Sequence, residues 1–267
     1  MELNRAVDAA FAAIETVQQL MSFHDPASEV SELNRVAVLR PVHVSAWTHE
    51  VLVTAQMLAV KSNGAFDITI APLLQRWGYL PRHGKRASPL VGCGWPLEIE
   101  LQPHRNVRFR RPLRIDFGGI AKGFAVDRAI AVLQASGATS GCVNAGGDLR
   151  VFGSTSPPIH VRHPLSPGNF LPVTLLANSA LATSGPYFTR KRWRGRWVTP
   201  LVDSRHKRAC VGLASVSVQA PTCLLADALT KVVLTDGRVA PRLLREFHAD
   251  VFFVTRHGEI KPLYDET

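Results

Sequence analysis

RIDFGGIAKGFAVDRA, residues 114–129, decides how this chain is read. A carboxylate, two adjacent glycines, a lysine and a third glycine fall between Asp116 and Gly123. RIDF, residues 114–117, has the composition of a short strand, and Ala121 to Ser136 has that of a helix. Gly118 and Gly119 then stand at a helix N-terminus, where free backbone N–H groups and the helix dipole favour anions. Carbonyls of the same turn could equally face a cation. Two standard phosphate fingerprints fail. Lys122 precedes the second glycine, whereas a P-loop needs lysine after it. GGIAKG also lacks the dinucleotide spacing, and no helix follows NAGGDLRVFG. Read alone, the segment is either an anion-binding turn or a plain glycine turn with a surface lysine.

Outward from this stretch, the elements come in clusters. Leu3, Val7, Phe11, Ile14, Val17 and Met21 recur every three or four residues and predict a helix over 3–22 with that stripe inward. Pro26 and Ser28 suit a turn and a cap for a short helix ending near Asn34. A further helix is expected over 46–61, stopped by Asn63-Gly64. Between there and Gly118 the signals are short strands and loops, with LEIEL (97–101) as a half-buried strand and 79–89 as an exposed loop. TSGCVNAGGDLRVFG (139–153) reads as two strands around a glycine turn. VTLLA (173–177), WVTPLV (197–202) and GLASVSV (212–218) are strand candidates, and a helix follows over 223–234. Residues 249–263 read as a hairpin turning at Gly258. This grouping predicts an α+β fold, one domain over 1–267, with mixed or antiparallel sheets flanked by helices.

Bulk properties narrow the function. Of the 267 residues, 46% are hydrophobic and 19% charged, a balance able to bury a core. No apolar run approaches the roughly 18 residues of a membrane helix. The N-terminus lacks a basic start, and Glu15 interrupts its apolar stretch, so the expected location is the cytoplasm. Cys93, Cys142, Cys210 and Cys223 form no CxxC pair and are expected to be buried thiols. The net charge of +10 gathers in RHGKR, RNVRFRR, RKRWRGRW and SRHKR. Such clusters suit a nucleic-acid footprint, but no recognition motif accompanies them. A solvated basic surface, or attraction to a polyanionic small molecule, is the favoured reading.

Six segments taken in order resemble one family, the ApbE-type FAD:protein FMN transferases. They are MSFHDPASEVSELN (21–34), GAFDITIAPLLQRWGY (64–79), DFGGIAKGFAVDRA (116–129), CVNAGGDLRVFG (142–153), ALATSGPYF (180–188) and ADALTKVVLTDG (226–237). The resemblance implies a T-fold-like architecture. It also implies FAD as substrate, magnesium as cation, and an acceptor protein carrying the Thr or Ser to be flavinylated. Through it, His24, Ala65, Phe66, Asp67, Asp116, Lys122 and Thr230 are expected to bind the cofactor. Asp116 and Asp227 are expected in the chemistry, and the Gly119 backbone and Asp227 at the metal. Thr183 to Gly185 matches a turn near the cofactor, followed by Tyr187.

The chain departs from the family pattern in four places. The resemblance implies a preceding strand bearing Met-Gly-Thr, whereas this sequence starts at the following helix. The metal-binding threonine expected one helical turn after Asp227 is Lys231, which can pair with Asp227 and weaken or replace the metal. The His-x-x-Asp-Pro-x-Thr-Gly motif reads PLVDSRHK (200–207), keeping Asp203 but with Pro200 in place of the histidine. His206 is the nearest imidazole, but its spacing differs from that of the missing histidine, so it is not expected to take its place. Pro186 stands where an acidic or amide residue is usual. A flavin transferase is therefore the main expectation, and a flavin-nucleotide binder without transfer the alternative.

Overall fold

The computed structural model describes residues 2–82, 98–166, 168–187, 189–212, 215–255 and 257–262. The helices are α1 (Glu2–Met21), α2 (Glu29–Val36), α3 (Ala46–Lys61), α4 (Ala71–Trp77), α5 (Ala121–Ala135), α6 (Cys223–Thr235) and α7 (Ala240–Glu246). The first strands are β1 (Val42–His43), β2 (Ile99–Gln102), β3 (Asn106–Phe109), β4 (Gly141–Ala145), β5 (Asp148–Phe152), β6 (Pro158–Arg162), β7 (Phe170–Leu175) and β8 (Ala180–Ser184). There follow β9 (Lys191–Trp193), β10 (Arg196–Val198), β11 (Val202–Asp203), β12 (Arg208–Ala209), β13 (Ser215–Ala220), β14 (Asp250–Val254) and β15 (Ile260–Pro262).

An antiparallel sheet in the order β15-β14-β13-β8-β5-β4 forms the centre. Both of its faces are covered, and the two-residue alternation of strand side chains shows how. Ala180 and Ala182 of β8, with Val216 and Val218 of β13, face the main core, which includes Ala226, Leu229 and Val233 of α6. Leu181 of β8, with Leu149 and Val151 of β5, faces the other way. There it meets Ile159 and Val161 of the β6–β7 hairpin. A smaller sheet, β1-β3-β2, is also antiparallel. The α+β class is as expected, and the described strand pairs are all antiparallel rather than mixed.

Local chemistry explains most boundaries. Ser28 caps α2 through the Ser31 N–H, and Ser45 caps α3 through the Thr48 N–H. Asn63 and Gly64 leave α3 with φ of +50° and +75°, the left-handed stop that the sequence signals. Gly146 and Gly147 turn β4 into β5 at φ +68° and +104°.

Four expectations are corrected. α1 has the expected span but a rotated inner face. Ala6, Ala10, Ala13, Val17 and Met21 are buried, while Leu3 and Phe11 are 69% and 61% exposed. Small side chains let α1 lie close to α5, which favours the alanine stripe over the bulkier one. RIDF is not a strand. Its backbone is bonded elsewhere: the Asn34 side chain accepts the Ile115 N–H (2.7 Å) and donates to the Ile115 carbonyl (2.9 Å). The Asp116 N–H donates to the Ile68 carbonyl. α4 and α7 were not expected, because seven residues are too few to show a helical period. Of the cysteines, Cys223 is buried, Cys210 half-buried and Cys142 exposed. Cys93 and most of the 79–89 loop lie outside the described residues.

Candidate functional site

The three glycines of the opening stretch have separate tasks. A Cβ on Gly123 would lie 2.2 Å from the Cys223 carbonyl oxygen, so glycine is what lets α5 cross the start of α6. The Gly123 N–H, one of the unpaired donors of the first turn of α5, is accepted by Asp227 of α6 at 3.3 Å. Gly119 lies beneath Lys231, whose Cε would be 3.4 Å from a Cβ placed there. Gly118 donates its N–H to Asp116 Oδ2 at 3.1 Å, closing a tight turn.

Around this turn opens a cavity of about 660 Å³. That lies near the middle of the range of roughly 300–1,000 Å³ usual for small-molecule sites. Residues from distant parts of the chain meet there. His24 and Met21 come from the end of α1 and the turn beyond it. Ala65, Phe66 and Asp67 come from the loop after α3, and Asp116, Gly119 and Lys122 from the glycine turn. Thr183, Ser184 and Gly185 follow from the end of β8, Pro200 from the loop before β11, and Lys231 from α6.

Charge is arranged in two pairs at one side, each built on a buried carboxylate. Lys122 of α5 donates to Asp148 at the start of β5, which is 1% exposed. Lys231 donates to Asp227, which is fully buried, and to Ser184 Oγ at 3.1 Å. Burial works against the Lys122 ammonium, but the Asp227 and Asp148 carboxylates outweigh it and hold its pKa above the usual value. Burial, and next Asp227, push the Asp148 carboxyl above the usual range, against the pull of Lys122 and Lys231. Burial is also the main cause that raises Asp67 and Asp116. Asp67 Oδ1 accepts the N–H (2.7 Å) and hydroxyl (2.6 Å) of Thr69, so it caps a turn while it lines the cavity.

The expected residues divide into two layers. His24, Ala65, Phe66, Asp67, Asp116, Gly119 and Lys122 line the cavity. Asp227 and Thr230 are fully buried and stand behind Lys231 and Ser184. The Thr230 hydroxyl bonds the Asp227 carbonyl (2.7 Å) and Ser184 Oγ (2.8 Å), which places it as a support. His206 does not replace the histidine lost at Pro200. It bonds Asp203 Oδ2 at 2.7 Å and is absent from the lining residues. Asp148 and Tyr79 were missed. Asp148 follows the Gly146-Gly147 turn, which reads from sequence as turn chemistry alone. Tyr79 fell in a stretch read as an exposed loop, whereas its hydroxyl reaches the Val198 carbonyl at 2.9 Å.

The magnesium implied by the family pattern does not fit this donor set. Among the described residues, no three His, Cys, Asp or Glu side chains gather as ligands. Asp227 Oδ1 is held by Lys231 and Oδ2 by the Gly123 N–H. Magnesium demands near-octahedral oxygen ligands. Two unit charges 4 Å apart near a protein surface interact by about 4 kcal/mol, and a divalent ion beside a fixed ammonium doubles that repulsion.

An α+β scaffold that gathers a glycine turn, two lysines and apolar side chains around one cavity defines the general class. The ApbE family matches residues 1–253, and the chain belongs to that family. The FAD:protein FMN transferase of Escherichia coli K12 is 24% identical over 264 residues, covering 92% of this chain and 75% of that protein. That of Rhodobacter capsulatus is 32% identical over 191 residues, covering 67% of this chain and 36% of that protein. The crystal structure of the ApbE protein from Thermotoga maritima superposes with a TM-score of 0.83 at 25% identity, covering 97% of this chain and 89% of that one.

Proposed function

We propose that this chain is an FAD:protein FMN transferase, joining FMN from FAD to a Thr or Ser hydroxyl of an acceptor protein with release of AMP. The observation that carries this reading is the ApbE match over residues 1–253. The cavity is compatible with it, since residues of all six segments that resemble the family line it.

The chemistry makes three demands of the residues present. The flavin needs an apolar wall and a ring to lie against. Phe66, Met21 and Leu80 supply the wall, and the exposed His24 ring at the rim supplies the stacking surface. The pyrophosphate needs cations, and Lys122 and Lys231 are the lysines of the lining. The hydroxyl proton needs an acceptor, and we assign this to Asp116, whose raised pKa makes it a stronger base than an ordinary carboxylate. The acceptor oxygen bonds to the FMN-side phosphorus, and the bond from that phosphorus to the bridging oxygen breaks. AMP carries the bridging oxygen and the electron pair away, and Asp116 takes the proton. No step runs through a metal ion.

Incubation with FAD and an acceptor bearing the family's flavinylation segment tests this. The expected result is covalent flavin on the acceptor with an equal amount of AMP. FAD bound without AMP release would leave a binder in place of a transferase.

A further inference from the structure

The side chain of Lys231 is the least solvated cation of the cavity. It is 18% exposed, against 54% for Lys122. Its position is fixed from three sides. Asp227 holds the ammonium from one helical turn earlier, Ser184 Oγ accepts a second N–H at 3.1 Å, and the stem lies over Gly119. Each holder is itself held: Asp227 by the Gly123 N–H, and Ser184 by the Thr230 hydroxyl. An ammonium has three donors. Among the described residues two are engaged, so one is left for an anionic oxygen in the cavity that Lys231 lines.

We propose that Lys231 is a built-in replacement for the divalent cation, so that this protein binds the pyrophosphate of FAD, and transfers FMN, without metal. The proposal rests on the flavin-transferase reading above. The contacts around Lys231 support it in detail. The Asp227 carboxylate, which would otherwise attract a cation into the site, is neutralised by a covalently tethered one. Gly119 offers a side-chain-free surface over which the lysine stem lies, at the distance where a Cβ would be in ordinary van der Waals contact with it. Charge stabilisation thus comes preorganised with the fold and needs no ion from solution. A lysine delivers one positive charge where magnesium delivers two, and Lys122 lines the same cavity.

The test is FAD binding, followed by flavin fluorescence, in a strong chelator and then in excess magnesium. Manganese binding, followed by electron paramagnetic resonance, is measured in parallel without FAD. The wild-type protein is expected to bind FAD with affinities that agree within about twofold in the two conditions, and to bind no stoichiometric manganese. Lys231→Thr is expected to lose about tenfold or more in FAD affinity in chelator, to recover it with magnesium, and to bind manganese. Lys231→Arg keeps the charge and is expected to stay metal-independent, which separates loss of charge from misfolding. Wild-type FAD binding that collapses in chelator, or tight manganese binding with Lys231 intact, would overturn the replacement while leaving the flavin reading standing. No FAD binding in either condition would overturn both.

Discussion

Asp127 on α5 caps Leu224 at the start of α6, accepting its backbone N–H at 2.9 Å. The same carboxylate accepts the Cys223 N–H at 3.0 Å and binds Arg150 of β5 at 2.7 Å. One side chain thus satisfies two end donors of a helix, favours its dipole, and ties both helices to the sheet. It also fixes where α6 begins, and therefore where Asp227 and Lys231 stand. Asp127→Ala strips the cap and leaves a half-buried guanidinium alone. We expect a loss of about 3 kcal/mol in unfolding free energy, read from urea midpoints. FAD affinity should fall with it, because α6 carries Lys231.

Gly123→Ala tests the same crossing by steric means. The added methyl meets the backbone of Cys223 and Leu224, with the nearest atom at 2.2 Å, and backbone gives way less readily than a side chain. Overpacking usually costs about 1–3 kcal/mol. The upper end or beyond is expected here, with a thermal midpoint lower by several degrees. A neutral Gly123→Ala would show that α5 and α6 do not cross as described.

Asp116→Asn should leave FAD binding nearly intact and lower transfer by about 10²–10⁴-fold, the range for a lost general base. The pH dependence follows from burial, which raises the carboxyl above its usual range while the Gly118 N–H and His24 pull it partly back. A base works ionised, so transfer should rise with pH along a limb lying above the ordinary Asp value of about 3.9. The effect on stability has the opposite sense. A raised folded pKa contributes stability below the unfolded pKa, and that contribution is lost as pH rises through the folded value. At neutral pH the Asn variant should accordingly be no less stable than the wild type.

Asp148→Asn removes one of the two carboxylates that hold the Lys122 ammonium up. The Lys122 pKa should fall, as nitrogen chemical shifts in a pH titration would show. The cavity also loses a negative charge beside a cation, so FAD should bind about threefold to tenfold tighter. Unchanged or weaker binding would place the pyrophosphate away from Lys122.

Asp236 follows α6 and is held by Arg205 at 2.8 Å and by the Arg238 N–H at 3.0 Å. The Arg205 contact is the main cause that lowers its pKa to about 2, against the opposing effect of burial. A lowered folded pKa gives stability above the unfolded value that disappears as pH falls through the folded one. The urea midpoint should drop from pH ~4 toward pH ~2, and Asp236→Asn should flatten part of that slope.

The limits of sequence reading show at particular residues. Helix spans with strong periods and caps, α1, α3, α5 and α6, were visible because propensity, spacing and stop signals agree along the chain. The face of α1 was not visible, because Leu3 and Phe11 outrank alanine in hydrophobicity, and only the close approach of α5 reverses the choice. RIDF has strand composition, yet the Asn34 amide, 81 residues from Ile115, takes the place of a neighbouring strand. His206 stands at a different spacing from the missing histidine, and its short turn points it to Asp203.

For DFGGIAKG, the sequence by itself determined that the chain turns sharply before a helix, and that Asp116 and Lys122 lie within reach of the turn. Its order among five other segments marked the family. The Lys231–Asp227 pairing was also legible, since one helical turn separates the two. What only the tertiary structure decided is the company they keep. Asp148 meets Lys122 from a strand packed against its helix, Ser184 meets Lys231 from another strand, and Gly123 is required by a carbonyl on a different helix. The reason is physical. Backbone spacing fixes neighbours within a turn, whereas the packing of α5 and α6 on one sheet brings together charges more than twenty residues apart, where burial makes their pairing obligatory.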